Sequence, residues 1–97
     1  MTAYVTLYKY TEQGMRTIKD APARFEAAKK AAAQAGITIK ETLWLQGEYD
    51  LLVISESSDD LASTAFALNI AKMGNIRGET LRAFTLGELE KILSRVA

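Results

Sequence analysis

The chain has no cysteine and no histidine among its 97 residues, and a single proline. Without cysteine it can form no disulfide, no thiolate nucleophile, no iron-sulfur cluster and no thiolate zinc site. Without histidine it lacks the commonest general base and metal ligand. A catalyst built from this chain would have to use Asp, Glu, Lys, Tyr or Arg, or borrow a cofactor; no cofactor and no metal site are expected. A charge imbalance is missing too. Twelve Lys and Arg residues cancel twelve Asp and Glu residues, and their scatter leaves no basic stripe to displace counterions from nucleic acid. No apolar run reaches the roughly eighteen residues of a membrane span, and Met1-Thr2-Ala3-Tyr4 opens no secretory signal. Neither nucleic acid nor a membrane is therefore an expected partner, and a cytoplasmic location is expected.

What is present is organised around Gly47-Glu48-Tyr49-Asp50. This stretch lies between the apolar runs Leu43-Trp44-Leu45 and Leu51-Leu52-Val53-Ile54, a hairpin signal. Before it, residues 3–10 alternate with period two, which puts Ala3, Val5 and Leu7 on one face and Tyr4, Thr6, Tyr8 and Tyr10 on the other. The aliphatic face is expected against helices and the tyrosine face in a wetter or ligand-facing place. Residues 11–19 read as a loop. Asp20 and Pro22 then favour a helix start, with a helix over 21–35 that buries Phe25, Ala28, Ala32 and Ala35 and stops at Gly36. Its alanines predict a close approach to the sheet. Residues 37–45 read as an edge strand whose phase is mixed near Glu41.

After the turn, the aliphatic run 51–54 reads as a strand covered on both faces, so a second body is expected over the face the helices leave open. Ser57-Ser58-Asp59-Asp60 offers an S-x-x-D cap to a helix over 59–73. That helix is expected to bury Leu61, Ala65, Leu68 and either Ala71 or the stem of Lys72, and to end at Gly74. A strand over 75–84 should set Leu81 and Ala83 beside the aliphatic face of the first strand, and Arg82 beside Tyr4, Thr6 and Tyr8. Thr85 and Glu88 form a capping-box pattern for a last helix striped by Leu89, Ile92, Leu93 and Val96.

The order β-α-β-β-α-β is that of a ferredoxin-like α+β sandwich, here with an extra C-terminal helix. The segment from Trp44 through Gly47-Glu48-Tyr49-Asp50, the segment Gly74 to Phe84, and Gly14, Arg16, Asp20, Pro22 and Arg24 in the N-terminal half together resemble the GYD-domain family. The resemblance covers nearly the whole chain up to Phe84, so residues 1–97 are expected to form one such domain. It implies kinship with dimeric α+β barrels, in which two sheets bury their open faces on each other, and hence a homo-oligomer, a dimer or a multiple of one. It implies no mechanism.

Three roles follow. The first is a dimeric module that binds a small anionic or aromatic molecule through Tyr4, Thr6, Tyr8, Trp44, Asp50 and Arg82, with Arg82 pairing an anionic group. The second is a structural subunit whose faces serve assembly. The third is a cofactor-independent enzyme with Asp50 as base and Arg82 or Tyr8 stabilising an oxyanion. A one-residue slip around Asp50 would move it from one sheet face to the other, and the sequence leaves both phases open.

Overall fold

Four alternating segments pair into one antiparallel sheet: β1 (Thr2–Tyr10), β2 (Thr38–Trp44), β3 (Leu51–Ser57) and β4 (Ile76–Ala83), in the order β2-β3-β1-β4. The computed structural model describes residues 1–97. Helices α1 (Glu12–Arg16), α2 (Ala21–Gln34), α3 (Asp60–Lys72) and α4 (Leu86–Leu93) complete the expected α+β order. The register sets Val5 opposite both Ile54 and Leu81, and Tyr4 opposite Arg82. Gly36 and Gly74 close α2 and α3 with φ of 79° and 82°, the left-handed stop that glycine adopts without a Cβ penalty.

The sheet presents its faces the other way round from the expectation. Tyr4, Thr6, Tyr8 and Tyr10 look toward α2 and α3, with which they line a common cleft. Ala3, Val5 and Leu7 belong to the open face. The reason is volume. The inward side of α2 offers Ala27, Ala28 and Ala31, too small to fill the layer between a helix and a sheet, so the large rings of β1 occupy that layer. The alanines do not bring α2 down onto the sheet; they leave room.

The ambiguity near Glu41 is resolved by a β-bulge. Ile39 pairs with Ser55 and Glu41 with Ile54, so Lys40 is the extra residue. The bulge switches the phase of β2. Ile39 lies on the helix side, Glu41 and Leu43 lie on the open face, and Trp44 returns to the helix side opposite Leu51.

Four local expectations are corrected. Residues 12–16 form a short helix where a loop was expected, capped by Thr11, whose side chain accepts from the Gly14 N–H at 3.1 Å. Asp20 makes no side-chain cap to α2; a single 3-10 turn over Ile18–Asp20 leads into it instead. The cap of α3 is Asp59, which accepts from the N–H groups of Leu61 and Ala62, while Ser57 supports the Asp59 N–H at 3.1 Å. The inward face of α3 carries Ser63, Phe66, Ala67 and Ile70. Leu61 and Leu68, expected inside, are 83% and 65% exposed. Because α3 is apolar nearly all round, its periodicity could not single out a face.

The capping box of α4 is present. Thr85 accepts from the Glu88 N–H, and Glu88 accepts from the Thr85 N–H at 3.0 Å and from Arg82 at 3.1 Å. The Thr85 amide, then the Arg82 guanidinium, hold the Glu88 carboxyl below the usual glutamate range. A carboxyl whose pKa is lowered by folding contributes stability above its unfolded pKa and loses it as pH falls through the folded value. The protection of the α4 amides against exchange is therefore expected to fall as the pH drops to about 4 and below, where glutamate titrates, and Glu88→Gln should weaken that acid dependence.

Candidate functional site

Between the two long helices and the sheet lies a cleft of about 260 Å³. Its floor is made by Tyr4, Thr6 and Tyr8 of β1, Leu51, Val53 and Ser55 of β3, and Thr80 of β4. One wall is Phe25, Ala27, Ala28 and Ala31 of α2; the other is Ser63, Phe66, Ala67 and Ile70 of α3. Trp44, Tyr10 and Arg24 close one end.

Each ring is held by a specific neighbour. Phe25 and Trp44 meet edge to face, centroids 5.3 Å apart and planes at 75°, a favoured aromatic geometry. The Trp44 indole N–H donates to the Tyr10 hydroxyl at 3.0 Å. Tyr8 lies against Gly78, where an added Cβ would sit 2.6 Å from a ring carbon; the glycine makes space for the ring. The Thr6 and Thr80 hydroxyls share a hydrogen bond of 3.2 Å across the β1–β4 pair. Tyr4 donates to the Asp60 carboxylate at the start of α3.

The site is electrostatically quiet. Burial pushes the Tyr8 phenol up, partly offset by a hydrogen bond from Thr6; the hydrogen bond to Asp60, followed by burial, pushes Tyr4 up. Both stay neutral phenols at neutral pH. No carboxylate lines the cleft, and its one cation is Arg24. That guanidinium donates to the Thr17 carbonyl and hydroxyl at 3.2 and 2.8 Å and to the Gly14 carbonyl at 3.3 Å. Such a lining can hold an apolar body and a few hydrogen bonds.

Of the six residues singled out in the sequence, Tyr4, Thr6, Tyr8 and Trp44 come together in the cleft, whereas Asp50 and Arg82 do not line it. Arg82 reaches past the end of the sheet to Glu88 and the Ala83 carbonyl and covers the Phe84 ring at 4.3 Å. The Asp50 carboxylate accepts from the Tyr10 N–H at 2.8 Å, while its own N–H donates to the Tyr8 carbonyl and its carbonyl accepts from Leu45. Asp50 thus extends the β1–β3 pairing and ties the hairpin. Asp50→Ala is expected to cost about 1–3 kcal/mol in urea unfolding, because the Tyr10 N–H loses its acceptor. Asp50→Asn, which keeps an oxygen there, should cost much less. Phe66, Ile70, Ser63 and Thr80 were not foreseen in the site. Only Thr80 left a signal, its place opposite Thr6 in the register.

The opposite face of the sheet is uncovered and carries an aliphatic patch, with Glu41 beside Ile54 and Glu79 beside Leu7. Val5, Leu7, Leu52, Ile54, Leu43 and Leu81 adjoin across the four strands, and Leu43 and Leu81 are 51% and 43% exposed. Tyr49 of the turn folds toward its rim, donating to Glu79 at 3.2 Å and lying under the Lys9 ammonium at 5.2 Å.

Comparison with known proteins agrees with this arrangement. A family model described as the GYD domain matches residues 4–93. The chain belongs to the GYD-domain family. This GYD domain is similar to two solved structures. The crystal structure of FFRP-DM1 is 26% identical with a TM-score of 0.57, over 87% of this chain and 100% of that one. The hypothetical protein PHS023 from Pyrococcus horikoshii is 25% identical with a TM-score of 0.56, over 88% of this chain and 92% of that one. Among curated proteins no match is found. No helix of the domain is long and apolar enough to cross a membrane.

Proposed function

We propose that this GYD-domain protein is a dimeric module that binds a small molecule in the cleft between its helices and its sheet, with the two open sheet faces packed on each other. The observation that carries the reading is the cleft itself, a concave apolar space with a few convergent hydroxyls, which is the general form of a small-molecule site. The open face supports the dimer. The chain exposes 6902 Å², whereas a compact monomer of its mass exposes about 5,500 Å². The excess of roughly 1,400 Å² per chain is on the scale that an obligate homodimer removes, about 2,000–5,000 Å² in total.

A purely structural role is the second reading. It is favoured by the C-terminal segment, where Leu86, Leu89 and Leu93 of α4 and Val96 beyond it are all exposed and await a partner surface. An enzymatic role through Asp50 and Arg82 has less support, because backbone and ion-pair contacts already engage both groups. A native mass spectrum of the protein as purified tests the proposal. A dimer with a reproducible added mass is the expected result. A dimer without added mass would favour the structural role, and a bare monomer would remove the reading.

A further inference from the structure

We propose that the free edge of β4 pairs antiparallel with the same edge of a second copy of this chain, about a two-fold axis at Gly78 that sets Arg77 of each copy opposite Glu79 of the other. This surface is distinct from both the cleft and the open sheet face.

The two edges of the sheet are built differently. The edge strand β2 is interrupted by the bulge at Lys40, and a bulge with a charged side chain guards an edge against strand addition. β4 has neither bulge nor proline; its eight residues pair with β1 in unbroken register from Ile76 to Ala83. Residues 77–82 are all exposed, and no backbone group of residues 76–82 bonds to anything beyond β1. A regular edge of this kind offers a row of free N–H and C=O groups to another strand.

Charge selects the partner and the register. Arg77 and Glu79 lie on one sheet face, opposite Lys9 and Leu7 of β1. Arg77 makes no ion pair within the chain and faces a like charge in Lys9, an arrangement that is destabilising when directly opposite. An arginine and a glutamate two residues apart are self-complementary in an antiparallel pair. With Gly78 opposite Gly78, each Arg77 meets the partner's Glu79 and each Ile76 the partner's Thr80. An axis at Glu79 would instead oppose two carboxylates, and one at Arg77 two guanidiniums. Tyr49 donates to one oxygen of Glu79 at 3.2 Å, which leaves the other for the partner's Arg77. A two-fold axis perpendicular to the sheet keeps both open faces on the same side, so the edge pairing and the sheet-to-sheet contact are compatible. Residues 76–80 of two copies make a small contact, so this step is the weaker of the two and follows at higher concentration.

The test is sedimentation equilibrium of the full chain at pH 7, from micromolar concentrations up to about 1 mM, for the unaltered protein, Arg77→Glu, Glu79→Arg and an equal mixture of the two variants. The unaltered chain is expected to show a mass that rises beyond the dimer with concentration. In each variant alone, like charges face one another at both contacts, so that step should weaken by roughly tenfold or more. In the mixture, an edge with two carboxylates meets an edge with two guanidiniums, and association at least as strong as that of the unaltered chain should return. Variants that had merely misfolded would not recover on mixing. If the unaltered chain stops at the dimer up to about 1 mM, or if the mixture behaves as the average of its parts, the pairing is wrong and the β4 edge is left to solvent or to an unrelated strand. If the dimer step is missing but the mixture still associates, the sheet-to-sheet reading falls and the edge pairing stands.

Discussion

The proposed sheet-to-sheet dimer predicts that Ile54→Glu leaves the protein monomeric at concentrations where the unaltered chain is expected to sediment as a dimer. Ile54 sits near the middle of the open face, opposite Val5 on one side and Glu41 on the other, with Leu81 beyond Val5. A carboxylate there would meet Glu41 across the β2–β3 pair and, in a two-fold dimer, a second copy of itself near the axis. An uncompensated buried charge costs about 3–5 kcal/mol. Each 1.4 kcal/mol is about a factor of ten in affinity, so a dissociation constant weaker by about a thousandfold follows. The isolated chain should tolerate the change, because Ile54 is only half-buried there and the new carboxylate would be solvated. Sedimentation equilibrium against concentration reads the effect. A variant that remains as tightly dimeric would show that the subunits meet elsewhere, with the α4 stripe as the surface to alter next.

Gly14→Ala should produce the largest loss of stability of any single methyl addition in the chain. A Cβ at this buried position would lie 2.0 Å from the Asn75 carbonyl oxygen, 2.9 Å from its carbon and 3.2 Å from its Cα. All three atoms are backbone, so no rotamer change relieves the overlap and α1 must lift away from the start of β4. That movement would break the Thr11 N–H to Asn75 carbonyl bond at 3.0 Å and the Thr11 hydroxyl to Gly74 carbonyl bond at 2.5 Å. It would also pull Gln13 from Met73 and Asn75, which it now meets at 3.1 and 3.0 Å. Overpacking together with lost hydrogen bonds amounts to about 3 kcal/mol or more, or a melting temperature lower by about 12 °C or more in a domain of this size. Gly87→Ala is the matching control. Nothing lies within 4 Å of its added Cβ, and as a position inside α4 it should gain a few tenths of a kcal/mol to about 1 kcal/mol from helix propensity. A Gly14→Ala protein as stable as the unaltered chain would mean that α1 does not press on Asn75.

Much of this was legible because it is local. The capping box at Thr85 and Glu88, the left-handed stops at Gly36 and Gly74, and the pairing of Val5 with Leu81 each depend on residues within a turn or on a period of two. The short helix over 12–16 was not legible, because five residues fall well below the length at which a helix holds itself. It exists through bonds to the chain around residues 73–75. The site was legible in part. Tyr4, Thr6, Tyr8 and Trp44 are where large amphipathic residues stand out in sequence, but the heads of Asp50 and Arg82 went to the Tyr10 amide and to Glu88. Long side chains have several partners in reach, and pattern does not choose among them.

By itself, the sequence determined the order of the four strands and of α2, α3 and α4, most of their ends, the family, and the division of β1 into an aromatic and an aliphatic face. Tertiary structure alone decided which of those faces the helices cover, where β2 changes phase at Lys40, which side of α3 turns inward, and that Ser63 is left unpaired beside the cleft. The physical reason is that alternation specifies two faces without ranking them. The ranking comes from volume: an alanine-walled helix leaves a space that the rings on the facing strand partly fill, and only the assembled layers contain that comparison.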